Sequence, residues 1–274
     1  MKSDKLALVA GEGELPLEIL RSMRRSQRQL PQVYLLAEDD EPYAKEGIPV
    51  QKINNPMAIA ATLAKMRLKG VRRMMMAGRV PKKDIYSKDK LDVGAKSILS
   101  DVKDRNDHSL LGGVIRYIEK FGIQVVAYED VIPEMFAHEG HIAGPLPTDD
   151  QTQDCEYGLG ILKITLPLSF GQSVVVFRCA IVAVEAMEGT DQAIRRAGEL
   201  SGDGVLVKGM RADQDRRYDL PVVGVQTLRV MAEAGLKALF VEAGSVLLLD
   251  REQFPKEADS LGICVMGVPA CRFL

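Results

Sequence analysis

Tryptophan is absent from this chain, and tyrosine and phenylalanine together bring the aromatic share to only 5%. A stacking platform for exposed nucleic-acid bases therefore has little to be built from. No excess of positive charge offsets that shortage: 36 basic residues face 38 acidic ones, a net charge of -2. A nucleic-acid coat is excluded on both counts. Cysteines are few, and Cys155, Cys179, Cys264 and Cys271 lie too far apart for a zinc knuckle or a dense disulfide scaffold. They read as structural thiols. Of the three histidines, His108, His138 and His141, no two form HExxH or another demanding ligand pair. No nucleophile elbow presents a serine or cysteine beside a base. Long apolar runs are also missing, since the best candidates are broken by Pro167, Arg178 or Glu185 before the roughly 18 to 20 residues that a bilayer demands. The N-terminus, MKSDKLALVAGEGELP, lacks the longer apolar stretch and cleavage site of an export signal. The expectation is a soluble protein with at most peripheral membrane contact.

What the chain does have is core-forming residues, 46% apolar over 274 positions, with 24 glycines and 13 prolines. That mixture suggests an α/β protein with many strand-to-helix turns. Residues 5–10 read as a strand, GEGELP (11–16) as a loop and residues 17–23 as the start of a helix. Further strands are expected at 33–37, 71–77 and 123–128, with helices at 56–68 and 107–121 between them. Met74, Met75 and Met76 fit core filling better than metal ligation. Helices intervening between strands imply a Rossmann-like, largely parallel sheet. Residues 140–156, polar and interrupted by Pro145 and Pro147, read as a linker, with His138 and His141 nearby in a loop, hinge or ligand-contacting role. The linker divides an N-terminal α/β domain (1–139) from a mixed α/β domain (157–274). The second domain is expected to carry strands at 173–177, 181–185, 204–208, 238–241, 245–249 and 261–267, and helices at 190–200, 223–234 and 252–260.

Four segments bear on chemistry. GEGELP could turn the chain or place backbone N–H groups near phosphate oxygens, although the third glycine of the dinucleotide fingerprint is missing and Glu12 and Glu14 would repel phosphate unless turned away. Residues 65–83 hold eight basic side chains and no acid, which fits a solvated face or an anion-attracting one. In VEAMEGTDQAIRRAG (184–198), Glu185, Glu188 and Asp191 recur at intervals of three. Gly189 supplies a turn there and Thr190 can cap a helix. These carboxylates either cap the helix and form salt bridges, or together recruit a hard divalent cation. In VKGMRADQDRRYDLPVVG (207–224), Asp213, Asp215 and Asp219 mingle with Lys208, Arg211, Arg216 and Arg217. Such a loop is an exposed ion-pair network or a phosphate and metal site, since diphosphate cleavage uses carboxylates to orient water and cations to meet departing charge.

Taken together, AGEGELPL, the AGR at 77–79, KDRNDHSLL, VEAMEGTD and QDRRYDLPVVG resemble the UDP-2,3-diacylglucosamine pyrophosphatase family of lipid A biosynthesis in Gram-negative bacteria. The resemblance runs through nearly the whole chain, and VEAMEGTD and the 208–224 segment are its specific signals. It implies hydrolysis of UDP-2,3-diacylglucosamine to UMP and 2,3-diacylglucosamine 1-phosphate by water attacking the phosphorus next to the sugar. It also implies a divalent cation, Mg or Mn, two domains with substrate between them, and a cytoplasmic enzyme that visits the inner membrane transiently. Homo-oligomerisation is compatible with it. Carried onto these residues, it implies catalytic roles for Asp219, Asp215, Asp191, Glu188 and Glu185, with Asp191 and Asp219 holding the metal. Lys208, Arg216 and Arg217 would meet phosphate; Gly11, Gly13, Arg79 and Asp107 would contact the nucleotide or line the cleft. The alternatives are a nonenzymatic nucleotide-sugar sensor or carrier, and a hydrolase of another UDP-sugar.

Overall fold

A computed structural model describes residues 4–55, 58–80, 94, 98 and 107–269, with 107–110 described by backbone alone. Lys82 and Lys83 of the basic run, the start of KDRNDHSLL at 103–106, and Cys271 lie outside the described residues. The chain forms two compact units, one made of Met1–Pro133 with Arg216–Asp219, the other of Glu134–Asp215 with Leu220–Leu274.

In the first unit, β1 (Lys5–Ala10), β2 (Gln32–Leu35), β3 (Val50–Lys52), β4 (Val71–Ala77) and β5 (Gln124–Val125) form one sheet in the order β3-β2-β1-β4-β5. Every pairing is parallel. This is the Rossmann-like doubly wound order, and it confirms the expected fold class. Ala7, Leu8 and Ala10 of β1 are wholly buried, as a strand with helices over both faces requires. The Ile59–Leu68 and Asp107–Lys120 helices supply Leu63, Met66, Ile115 and Ile118 to a cluster with Met74 and Val125. Met74 and Met75 are buried as core residues. The Leu15–Arg25 helix begins two residues earlier than its apolar spacing indicated, and its Pro16 occupies the first turn, where a missing N–H costs nothing. β3 and the short Glu41–Lys45 helix leave no periodic signal in the sequence, because with three and five residues they are too short to display one.

The second unit is built on a six-stranded sheet with order β6-β13-β11-β9-β7-β8. Its strands are β6 (Gly140–Ala143), β7 (Ser173–Phe177), β8 (Ala180–Val184), β9 (Val205–Lys208), β11 (Ala238–Glu242) and β13 (Cys264–Val268). β9, β11 and β13 run parallel, while the β7–β8 hairpin and β6 run antiparallel to their neighbours. Strand alternation divides the core cleanly. Val174, Val176, Val205, Val207, Ala238 and Phe240 meet the Asp149–Thr165 helix on one face. Val175, Leu206, Leu239, Val241 and Val265 meet the Thr190–Ser201, Val225–Glu233 and Phe254–Leu261 helices on the other. β10 (Val222–Val223) and β12 (Leu247–Leu248) pair separately.

Residues 140–156 are not a linker. They contain β6, paired with β13, and the first half of the Asp149–Thr165 helix. Pro145 and Pro147 only mark the gap between these elements. Thr148 then caps the helix reciprocally with Gln151: the Gln151 N–H donates to Thr148 Oγ1 at 3.2 Å and the Thr148 N–H to Gln151 Oε1 at 3.0 Å.

Candidate active site

The carboxyl ends of parallel strands are where α/β sheets expose backbone amides and side chains to ligands. In the second unit, the end of β9 carries Lys208, only 3% exposed. Because β7 runs the other way, its first residue, Ser173, lies directly across from Lys208. Lys208 Nζ donates to Ser173 Oγ at 3.1 Å and to Thr190 Oγ1 at 2.7 Å, and lies 3.8 Å from Glu185 Oε2. The Thr190 hydroxyl donates in turn to Glu185 Oε1 at 2.9 Å. Glu185 Oε2 also accepts the Gln172 N–H at 3.3 Å. Thr190 therefore does not cap its helix. Gly189 is the N-cap residue, without a side-chain cap, and the Thr190 hydroxyl bridges Lys208 and Glu185 instead. Burying the Lys208 ammonium is tolerable because its charge meets a carboxylate and two hydroxyls.

Glu188 is set apart from that network. Its Oε1 accepts from Arg196 Nη2 at 2.7 Å, and Arg196 also donates to Val184 O at 2.8 Å. Its own backbone N–H and Arg196 hold the exposed Glu188 carboxyl below the usual carboxylate range. Glu188 lines an open groove of about 840 Å³ with Phe170, Val184, Ala186, Gln192 and Arg195. Asp191 sits half-buried in the first turn of the Thr190–Ser201 helix, the expected position for an acid facing the helix dipole. The spacing of three thus places Glu185, Glu188 and Asp191 near one turn, but Glu185 joins Lys208 and Thr190 while Glu188 pairs with Arg196.

The segment after β9 is irregular, as its composition predicts. Its start is pinned twice: the Gly209 N–H donates to Gln172 O at 3.0 Å and the Met210 N–H to Glu242 Oε2 at 3.1 Å. Gln172 Nε2 also reaches Gln214 Oε1 at 3.3 Å. Arg211 bonds Ser169 Oγ and approaches the exposed Asp213 carboxylate to 3.4 Å. Asp215 is half-buried and ends this stretch of the second unit.

Arg216–Asp219 belong to the first unit. Tyr218 is buried in its core beside Met74 and Ile115. Arg216 pairs with Glu129, and Arg217 Nη1 with Glu119 Oε1 at 2.9 Å. Asp219 is exposed and adopts φ 54°, the left-handed region that costs most non-glycine residues about 1–2 kcal/mol. Aspartate enters that region more readily than most, but strain of this kind concentrates at functional positions. Nearby, Tyr128 is buried with its hydroxyl donating to Met76 O at 2.5 Å. Burial, followed by the charge of Asp219, pushes the Tyr128 phenol well above its ordinary range.

At the switch point of the first sheet, the ends of β1 and β4 are joined. The Gly11 N–H donates to Ala77 O, the Glu12 N–H to Arg79 O and the Arg79 N–H to Glu12 O, each at 2.8 Å. A Cβ at Gly11 would fall 2.4 Å from Arg79 O, so this glycine is required by the close backbone approach. Gly13, in contrast, has φ 103° and open space where a Cβ would point. Glu12, Gly13 and Arg79 are exposed there. Asp107 begins its helix, and its side chain lies outside the described ones.

Sequence reasoning missed Glu242, Ser173, Gln172 and Tyr128. For Glu242 a signal existed: VEA occurs at 184–186 and again at 241–243. Glu185 directly follows β8 and Glu242 closes β11, and both accept a hydroxyl on Oε1 and a backbone N–H on Oε2.

These features define a two-unit α/β protein whose second unit gathers ionisable and hydroxyl side chains at one end of its mixed sheet, around the carboxyl ends of β9 and β11. Residues 5–135 match the LpxI N-terminal domain and residues 138–266 the LpxI C-terminal domain. The chain belongs to the LpxI family. It is 30% identical over 280 residues to the UDP-2,3-diacylglucosamine pyrophosphatase LpxI of Caulobacter vibrioides, an alignment covering 96% of this chain and 97% of that protein.

Proposed function

We propose that this chain hydrolyses the pyrophosphate of UDP-2,3-diacylglucosamine, releasing UMP and 2,3-diacylglucosamine 1-phosphate. The observation that carries this reading is similarity to a pyrophosphatase of that specificity over 96% of the chain, which includes both family domains. Water is the nucleophile and attacks the phosphorus next to the sugar. The new P–O bond stays with the lipid monophosphate, the bridging bond breaks, UMP departs with its oxygen, and the water proton passes to a carboxylate. Asp219 and Asp215 are the residues we assign to orienting that water. Arg216 and Arg217 meet phosphate charge. Their ion pairs with Glu129 and Glu119 are solvent-accessible and worth at most about 1 kcal/mol each, so a more highly charged phosphate can replace the carboxylates. Lys208, held by Ser173, Thr190 and Glu185, serves as the anchor of the strand-end network more readily than as a direct phosphate ligand.

A divalent cation, Mg or Mn, belongs to the proposal, and Asp191 and Asp219 are each proposed as a carboxylate able to ligate it. Among the described residues, no three His, Cys, Asp or Glu side chains converge as a ready ligand group. Mg commonly uses one or two carboxylates and completes its shell with phosphate oxygens and water, so the donor chemistry fits. When bound, such an ion neutralises charge on the diphosphate oxygens. Glu185 and Glu188, engaged with Lys208 and Arg196, shape the surroundings. No helix among the described residues is long and apolar enough to cross a membrane. The setting we propose is the cytoplasmic face of the inner membrane, visited transiently to collect a lipid-linked nucleotide sugar.

Hydrolysis in ¹⁸O-water, with UDP-2,3-diacylglucosamine and UDP-N-acetylglucosamine as competing substrates, tests the reading. The label should enter the lipid monophosphate and not UMP, the unacylated sugar should be spared, and a chelator should stop turnover that Mg or Mn restores. Binding without cleavage in every metal would make the protein a sensor or carrier. Cleavage of the unacylated substrate alone would make it a different UDP-sugar hydrolase.

A further inference from the structure

Glu242 is buried to 6% exposure at the carboxyl end of β11. An acid in that position is costly unless its oxygens are used. Both are. Oε2 accepts the Met210 N–H at 3.1 Å, and Oε1 accepts the Ser245 hydroxyl at 2.7 Å. The carboxylate reaches Met210 across a residue with no side chain: a Cβ at Gly209 would lie 3.1 Å from Glu242 Oε2 and 3.5 Å from Leu166 Cδ1. A side chain at 209 would press on the carboxylate, which would have to give by a few tenths of an ångström, while its contact with Leu166 would be an ordinary one. On the other side of the loop, Gln172 receives the Gly209 N–H and bonds Gln214. The stretch from 209 to 214 is thus fixed at both ends, immediately before Asp215.

We propose that Glu242 is a positioning residue that sets the backbone of the 209–215 segment and through it the placement of Arg211 and Asp215. This inference rests on the catalytic reading of that segment given above. The device is the counterpart of Glu185, which follows β8 with β9 and β7 lying between it and β11, and one glutamate on each side of β9 holds a neighbouring loop by a backbone amide and a hydroxyl. The bonds require an acceptor oriented toward Met210, not a negative charge. Glutamine can supply it, because its carbonyl oxygen can accept from Met210 while its amide N–H donates to a Ser245 hydroxyl turned to accept.

The test compares Glu242→Ala, Glu242→Gln and Ser245→Ala in the full-length chain by two measurements. The first is hydrogen exchange at the Met210 amide, which needs no substrate. Exchange should rise about tenfold or more in Glu242→Ala and stay near the native rate in Glu242→Gln. The second is steady-state hydrolysis of UDP-2,3-diacylglucosamine, in which Glu242→Ala should lose about tenfold or more in kcat with KM little changed, while Glu242→Gln stays within about threefold. Exchange that follows this pattern in a protein with no hydrolytic activity would retain the clamp and reject the catalytic reading. Native exchange at Met210 in Glu242→Ala, or a Glu242→Gln as impaired as Glu242→Ala, would overturn the clamp. If Glu242→Ala does not fold, Ser245→Ala decides: it frees one carboxylate oxygen and should give intermediate exchange and kcat, and native behaviour in both would overturn the proposal.

Discussion

Asp219 combines an acid, an exposed position and a backbone conformation at φ 54° that most side chains avoid. Chemistry and strain can be separated there by two substitutions. Asp219→Gly relaxes the backbone but removes the carboxylate, so thermal stability should hold or rise by about 1 kcal/mol while turnover falls at least about tenfold, or 1.4 kcal/mol of barrier. Asp219→Ala should lose the same turnover and keep the strain. Near-native turnover in both would remove Asp219 from the reaction. A second residue-scale prediction concerns Tyr43, whose phenol burial pushes up to about 12. The unfolded chain releases that proton near pH 10. The stability contributed by keeping the phenol neutral is therefore complete below about pH 10 and is lost as pH rises toward 12. In alkaline denaturant titrations Tyr43→Phe should flatten the decline over that window, and an unchanged slope would mean the buried phenol is not linked to folding.

The β7–β8 hairpin shows how an element can depend on a residue far from it in sequence. Its two turn residues, Arg178 and Cys179, have φ 51° and 55°, a pattern that hairpins usually meet with Asn-Gly. Neither residue favours it. The offset comes from Asp154 on the Asp149–Thr165 helix, whose buried carboxylate accepts the Arg178 N–H at 3.0 Å and the Cys179 N–H at 2.6 Å. Asp154→Ala should cost about 2–3 kcal/mol, since hydrogen bonds to charged acceptors are among the stronger ones. The double substitution Arg178→Asn, Cys179→Gly should recover part of that loss. Chemical denaturation of the three proteins checks both, and a neutral Asp154→Ala would show that the turn stands without it. The same element separates what could be read locally from what could not. Apolar β-branched runs mark strands at 173–177 and 181–185, the second one residue off β8, and spacing with a first-turn acid marks a helix at 190–200, one residue short of its end at Ser201. The helix at 149–165 was hidden because its polar face and weak periodicity resemble a loop; only the Thr148 to Gln151 capping pair announced it.

At the scale of the molecule, Arg216–Asp219 complete the first unit from a point far along the chain. Tyr218 is 5% exposed in the core cluster that includes Met74, Ile115 and Val125. Tyr218→Ala should therefore cost about 3 kcal/mol, as large buried aromatics do, and the loss should register in probes placed in the first unit. A melt unchanged from wild type would show that the segment contributes no packing there. Two features were legible from the residues themselves: the alternation of strands with helices, which dictates a layered α/β arrangement, and the crowding of acids and bases in 184–198 and 207–219. Local periodicity and side-chain chemistry suffice for those. The partners of each charge were decided only by tertiary structure. Lys208 is drawn into a buried network by the antiparallel return of β7, Glu188 is turned to Arg196, Gly11 answers to the approach of β4, and Glu242 becomes a clamp because β11 lies beside β9. Strand order sets these distances, and strand order arises from packing across the whole chain, which no short stretch of sequence encodes.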